Sequence, residues 1–102
     1  LILNGGDVFV SETLKDGSAK KLYDGINQED VFTTYDFNKK KYGRQTKKNT
    51  DYYERYLKQA KKAGLDVYIV EYRAGKELSK KIDAYCERHG YKWYNADGIN
   101  LN

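Results

Sequence analysis

The fold of this chain is decided by residues 23–32, which have the sequence YDGINQEDVF. The segment begins like a short β-strand and ends in a cluster of amide and carboxylate side chains, in which Glu29 and Asp30 are neighbours. Carboxylates at the C-terminal end of a strand are typical of α/β proteins that present functional groups at that end of a parallel sheet. We therefore predict a β-strand over residues 25–31 with an acidic end.

Three further segments have the composition of strands. Residues 1–4 (LILN) are apolar and stop at two glycines, and residues 91–97 (YKWYNAD) follow another glycine. Residues 66–72 (DVYIVEY) form a nearly continuous apolar run, which is typical of strands buried on both faces of a parallel sheet. The polar or acidic side chains near the ends of these three runs are Asn4, Glu71 and Asp97.

Helical patterns separate the predicted strands. We expect a helix to begin with Thr50 or Asp51 as its cap and to stop at Gly64, because apolar residues recur between them at helical spacing. Residues 75–89 show a second amphipathic helix. Residues 11–22 are predicted to be a short helix or an irregular crossover.

The alternation of strands and helices predicts right-handed βαβ units and a parallel sheet. Four such strands form either a small open sheet with helices on both faces or half of an eight-stranded barrel. The recurring polar groups at strand ends favour the barrel, because barrel enzymes place their active sites on that rim. We therefore predict an α/β chain that supplies about strands 5–8 of a (β/α)8 TIM barrel. The N-terminal half is expected as a partner, since four strands alone would leave two sheet edges exposed.

Composition bounds the possibilities further. With 102 residues, no proline and no linker, the chain is expected to be a single unit, and its start at Leu1 suggests a segment of a longer protein. One cysteine excludes an internal disulfide framework, and no Cys or second His accompanies His89, so we expect neither a metal nor a cofactor. No apolar run approaches the roughly 18 residues of a membrane span. The net charge of +4 does not by itself indicate nucleic acid.

Glu29 is the first candidate for catalysis. Side chains alternate along a strand, so Glu29 and Asp30 should point to opposite faces, and only one of them can face a barrel mouth. Since neighbouring strands lie about 4.8 Å apart, Glu29 and Glu71 are expected within several ångströms across the rim. Glycoside hydrolysis needs two carboxyl groups, about 5–5.5 Å apart for retention or roughly 6.5–9.5 Å for inversion. Alternatively, such acids cap turns or accept hydrogen bonds from backbone amides.

Residues 33–48 are predicted to form a long loop, and loops of this length are often functional. The segment carries six basic side chains and no acid after Asp36, and it interleaves them with Tyr35, Phe37 and Tyr42. Such a basic run is usually a solvated face. The same composition suits single-stranded nucleic acid, and the aromatic rings suit the stacking of sugars beside an acidic rim.

The segment 22–32 (LYDGINQEDVF) resembles the strand-six signature of the endo-α-1,4-polygalactosaminidase (spherulin-4-like) family of barrel glycosidases. Residues 3–6 are similar to the end of the family's fifth strand, residues 52–72 to its next helix and strand seven, and residues 90–97 to its closing strand. The resemblance covers nearly the whole chain but only the C-terminal half of the family's domain. It implies an extracellular or cell-surface enzyme that cleaves amino-sugar-containing polysaccharides through paired acids.

The resemblance also implies roles for individual residues. Glu29 matches the family's strand-six glutamate, a general acid or base. The partner aspartate of strand four has no counterpart here, so the isolated chain is expected to be inactive. A polymer of free galactosamine is cationic, and an acetylated or anionic glycan would suit the basic loop better. The expected substrate-binding residues are Asn27, Asp30, Tyr35, Glu71, Tyr72 and Asp97.

Two alternatives remain open. One is a non-catalytic carbohydrate-binding barrel protein, which an absent strand-four aspartate would favour. The other is a small basic α/β module that binds nucleic acid through residues 33–48, for which binding should weaken steeply with salt.

Overall fold

The computed structural model describes residues 2–4 and 7–96, with their side chains except at positions 4, 7, 8, 20 and 21. Along the chain the elements are β1 (Ile2–Asn4), α1 (Asp7–Asp16), α2 (Ala19–Leu22), β2 (Gly25–Glu29), β3 (Thr33–Asp36), β4 (Lys41–Arg44), α3 (Lys47–Lys62), β5 (Asp66–Tyr72), α4 (Lys76–His89) and β6 (Lys92–Ala96). None of the helices among these described residues is long and apolar enough to cross a bilayer.

The predicted parallel sheet is confirmed. Four strands pair in the order β1-β2-β5-β6, and all three pairings are parallel. Each strand therefore lies beside the next strand of the sheet in chain order. Because crossovers between parallel strands are right-handed, a sheet that grows in one direction carries all its crossover helices on one face. This arrangement differs from an open sheet with helices on both faces, which was the other predicted possibility.

One hydrophobic core fills the space between the sheet and its helices. Ile26, Val67 and Ile69 point into it from the strands, and Leu57 of α3 and Ile82 of α4 meet them; all five are at least 98% buried. Side chains alternate along a strand, so β5 is fully buried on this face and only partly buried on the other. The apolar sequence of β5 predicts burial on both faces, but within the described residues β5 is fully buried on one face only.

The opposite face of the sheet, which we call the uncovered face, is lined by alternate strand residues. The strand register brings Asn27 beside Tyr68, and Val70 beside both Glu29 and Tyr94. Tyr94 is 66% exposed and Ile2, at the sheet edge, is 48% exposed. Large apolar side chains thus stand open on this face.

Residues 33–44 form an antiparallel hairpin, so the prediction of a loop over residues 33–48 is wrong for most of its length. Strands β3 and β4 pair with Tyr35 opposite Tyr42. At the turn, the Asp36 carboxylate accepts hydrogen bonds from the backbone N–H groups of Asn38 and Lys39. The run of basic residues hides the two-residue period by which strands are recognised in a sequence. The strands are stabilised by the aromatic pair that faces across them.

The ends of the helices follow local hydrogen bonds. Helix α3 begins at Lys47, earlier than predicted, because the Thr46 hydroxyl accepts the Asn49 N–H at 3.2 Å as an N-cap. Thr50, one of the predicted caps, instead donates to the Val31 carbonyl at 2.7 Å and ties the first turn of α3 to the segment between β2 and β3. Helix α4 ends at Gly90 as expected, in the left-handed conformation.

Candidate functional site

Glu29 lies at the carboxyl end of β2, on the uncovered face of the sheet. Its strand partner is Val70 of β5, and the two-residue period of strands places Tyr72 on the same face. The Tyr72 hydroxyl donates a hydrogen bond of 2.9 Å to Glu29 Oε1. Burial, followed by this hydrogen bond, raises the pKa of Tyr72 to about 12, so the hydroxyl remains a donor at neutral pH. The Glu29 carboxylate is exposed but held in place.

Asp30 leaves the strand immediately after Glu29 in the left-handed region, with φ of 58°. Its N–H donates to the Val70 carbonyl at 3.2 Å, and its own carbonyl accepts the Gln45 side-chain amide at 3.0 Å. Partial burial, with a smaller contribution from the negative charge of Glu29, raises the pKa of Asp30 to about 6. Because the backbone turns here, Asp30 stays within electrostatic range of Glu29.

Glu71 lies on the helix face of the sheet and is completely buried. Its carboxylate accepts three hydrogen bonds: from Phe32 N at 2.9 Å, Thr33 N at 3.0 Å and Thr33 Oγ1 at 2.8 Å. The Thr33 hydroxyl in turn accepts the N–H of Tyr72 at 3.1 Å. Burial raises the pKa of Glu71 to about 7, although the three donated hydrogen bonds act in the opposite direction. Glu71 therefore anchors the start of the hairpin to β5.

The expected carboxylate pair of Glu29 and Glu71 across the rim is not formed. Glu29 is in register with Val70, so the next residue of β5, Glu71, points to the opposite face. A one-residue step along a strand exchanges the two faces of the sheet. Glu71 instead fits the other interpretation of a strand-end acid, since its carboxylate accepts hydrogen bonds from backbone amides.

The hairpin carries a cluster of three aromatic side chains, Tyr35, Phe37 and Tyr42. The Tyr35 ring lies 4.7 Å from Tyr42 and 4.8 Å from Phe37, measured between ring centroids. Phe37 is 71% exposed. After burial and the interactions with Glu29 and Asp30, Tyr42 adds a smaller contribution to the rise in the pKa of Tyr72, so Tyr42 lies within electrostatic range of Tyr72. An open aromatic surface of this kind suits stacking against a sugar ring.

The other predicted site residues have different positions. Asn27 lies on the uncovered face two residues before Glu29, where it lines a concavity of about 350 Å³ together with Tyr68, Val70 and Tyr94. Asp97 lies outside the described residues. The structure therefore brings Glu29, Asp30 and Tyr72 to one region and places Asn27 deeper on the same face as Glu29. Tyr35 lies in the hairpin, where it contacts Phe37 and Tyr42.

Two features of the region were missed from the sequence. Arg73 follows β5 with φ of 52°, and its guanidinium carbon lies 5.0 Å from the centre of the Tyr42 ring. Asn95 holds the loop after β5 to β6, since its side chain accepts the Ala74 N–H at 2.9 Å and donates to the Ala74 carbonyl at 3.1 Å. A left-handed residue after a strand has no signal in the sequence unless it is glycine, asparagine or aspartate.

Among the described residues, His, Cys, Asp and Glu side chains form no group of three that could hold a metal ion. No protein-family model, curated protein or solved structure matches the chain. The function of the chain is therefore inferred from the geometry of the site and from the resemblance carried by residues 22–32.

Proposed function

We propose that this chain is the C-terminal half of a (β/α)8 glycoside hydrolase domain in which Glu29 is the acid/base carboxylate. The observation that carries the proposal is the position of Glu29, which ends β2 on the uncovered face and is held by the Tyr72 hydroxyl. In a barrel the face without helices is the interior, and active sites lie at the carboxyl ends of the strands. In such a barrel Glu29 would border the mouth.

The shape of the sheet supports the barrel half of the proposal. Strands added in chain order, with every crossover on one face, are the repeating unit of a barrel wall. The exposed Tyr94 and Ile2 are the kind of side chains that the remaining strands of a barrel would bury. The partner we propose for this face is therefore the N-terminal half of the same domain, on the same polypeptide or on a companion chain.

Native mass spectrometry, with a denatured mass beside it, tests the architecture. We expect the purified protein to contain either a longer covalent chain or a tightly bound second polypeptide. A folded monomer with the mass of these 102 residues would show that four strands close a core unaided. The barrel proposal, and the enzyme with it, would then be abandoned.

The chemistry requires a second carboxyl group. Asp30 lies next to Glu29 with a raised pKa, but it follows directly along the same strand end. We propose instead that the second acid is supplied by the N-terminal half, in agreement with the strand-four aspartate that the resemblance implies. One carboxyl would then protonate the leaving oxygen while the other acts as base or nucleophile. The isolated chain would bind glycans without cleaving them.

A screen of polysaccharides by release of reducing ends tests the activity. Amino-sugar-containing polymers, acetylated and free, are the first substrates, and we propose an extracellular or cell-surface setting for them. We expect the intact protein to cleave at least one polymer, and the isolated chain to cleave none. Cleavage by the isolated chain would contradict the need for a second half.

A non-catalytic carbohydrate-binding protein is the second candidate. The observation in its favour is the aromatic cluster of Tyr35, Phe37 and Tyr42, which is a binding surface whether or not chemistry occurs beside it. Under this alternative, the intact protein binds a polysaccharide in calorimetry and releases no reducing ends. A Phe37→Ala variant should weaken that binding, since stacking against one exposed ring contributes on the order of 1 kcal/mol.

A further inference from the structure

A groove of about 470 Å³ lies between the hairpin and the start of α4. The hairpin contributes Tyr42 and Arg44 to its lining, and α4 contributes Lys76 and Lys81. Arg73, which directly follows β5, lines it as well. Four basic side chains thus converge on one groove from three separate segments. Glu77 is the one carboxylate among the residues that line it.

Three of the four basic side chains that line the groove have no ion pair among the described residues. Within residues 2–4 and 7–96, Arg44, Lys76 and Lys81 form no ion pair with any described carboxylate. At the beginning of α4, Gly75 has nothing within 4 Å of the position a Cβ would occupy, so the groove is open there. Cations gathered around an open space repel one another and attract an anion.

Tyr42 links the groove to the candidate site. Arg73 lies over the Tyr42 ring at 5.0 Å, and Tyr42 lies close enough to Tyr72 to influence its hydroxyl, which binds Glu29. A chain molecule whose sugar ring sits beside Glu29 can therefore reach the groove across Tyr42. Arginine is well suited to hold a carboxylate or sulfate there, because its guanidinium donates two parallel hydrogen bonds.

We propose that this groove binds the acidic group of a negatively charged polysaccharide. The inference rests on the proposed function and deepens it by naming the substrate class as a uronic-acid-containing or sulfated glycan. A polymer of free galactosamine would meet four like charges. A nucleic acid carries a phosphate at every nucleotide and would meet Glu29 and Asp30 along the same path, whereas a glycan can place a neutral ring there.

A matched pair of triple variants tests the groove. Arg44→Gln, Lys76→Gln and Lys81→Gln remove three charges from it and leave Arg73 and the Tyr42 contact in place. The control triple carries Lys15→Gln, Lys62→Gln and Arg88→Gln. These residues lie in the last turns of α1, α3 and α4, and their substitution removes the same charge at the other end of the sheet.

Calorimetry of the intact protein uses four probes: a galacturonate hexamer, a heparin-derived hexasaccharide, a neutral N-acetylhexosamine hexamer and a ten-nucleotide single-stranded DNA. We expect at least one acidic oligosaccharide to bind about tenfold or more weakly to the groove triple than to the control triple. Its affinity should also fall with salt, while the neutral oligomer is unaffected. The tighter of the two acidic probes identifies the anion as carboxylate or sulfate. Equal affinity of both triples for both acidic probes overturns the inference, as does tighter binding of DNA than of either.

This test is independent of hydrolysis. If acidic oligosaccharides require the groove but no polymer is cleaved, the groove inference stands and the proposed hydrolase fails. If a polymer is cleaved but the two triples bind both acidic oligosaccharides with equal affinity, the hydrolase stands and the groove inference fails.

Discussion

The hydroxyl of Tyr72 and the carboxylate of Glu29 meet at 2.9 Å, although the two residues are 43 positions apart in the chain. The bond joins the carboxyl ends of β2 and β5 on the uncovered face of the sheet. It orients an exposed carboxylate that otherwise has several rotamers available. The position of Glu29 thus depends on the register of the two strands as well as on its own strand.

Removing the hydroxyl with Tyr72→Phe tests the importance of that orientation. We expect glycan cleavage to slow by about tenfold or more, because a misplaced acid/base group loses much of its contribution. Stability should change by no more than about 1.5 kcal/mol, since the bond is exposed to solvent. Rates are compared with those of Tyr94→Phe, which removes a hydroxyl from the same face on β6. Equal rates for the two variants would show that Tyr72 does not position Glu29.

The anchor between Glu71 and Thr33 is a second feature that a substitution can test. Thr33→Val removes the hydroxyl that donates to the buried carboxylate and accepts the Tyr72 N–H. At pH 8, above the pKa of about 7 of Glu71, we expect a loss of about 1.5–3 kcal/mol in the free energy of unfolding, because a charged buried group loses a donor. Thr34→Val, the neighbouring position in β3, is the control, and Thr33→Ser should recover most of the loss. Urea denaturation measures all three, and an unchanged Thr33→Val would contradict the anchor.

The raised pKa of Glu71 makes stability depend on pH in a definite direction. The folded protein holds a proton on this carboxyl up to about pH 7, whereas the ordinary value is 4.5. Between these values the folded state binds more protons than the unfolded state, so stability falls as pH rises and levels off above pH 7. Asp30 acts in the same direction between 3.8 and about 6.

Urea denaturation of wild type and Glu71→Gln from pH 4 to 8 isolates the Glu71 contribution. We expect wild type to lose stability relative to the variant by up to about 3 kcal/mol over this range. A relative gain with rising pH would mean that the three donated hydrogen bonds outweigh burial and hold the pKa of Glu71 below its ordinary value.

Arg73 permits a test of backbone strain at the site. Its φ of 52° lies in the left-handed region, which costs a residue with a Cβ roughly 1 kcal/mol or more. We expect Arg73→Gly to be more stable than Arg73→Ala by about 1 kcal/mol, although both lose the contact with Tyr42. Thermal unfolding of the two variants checks this, and a less stable glycine variant would show that the conformation is not strained.

Much of the sheet could be predicted from the sequence. Strand β5 is a nearly continuous apolar run, and β2, β5 and β6 each begin at or shortly after a glycine. The helical stripes between these strands predicted a parallel order. Gly90 also marked the end of α4 correctly. These features depend on residues that are close together in the chain, so patterns in the sequence are enough to predict them.

The face on which Glu71 lies could not be predicted, because it depends on the register between β2 and β5. The sequence shows that Glu29 and Glu71 both end strands but not which residue of β5 lies beside Glu29. The hairpin was missed for a different reason, since its strands are only four residues long and half of β4 is basic. The tertiary pairing of Tyr35 with Tyr42 overrides that composition.

The catalytic role of Glu29 is measured by the rate at which the intact protein releases reducing ends when Glu29 becomes glutamine. Glu29→Gln removes the charge and keeps the shape, and Glu87→Gln makes the same change near the end of α4, away from the site. On a polysaccharide that wild type cleaves, we expect Glu29→Gln to lose at least about a hundredfold in rate while Glu87→Gln keeps the wild-type rate. Glycan binding and thermal unfolding should be unchanged in both. Near-normal cleavage by Glu29→Gln would contradict the account.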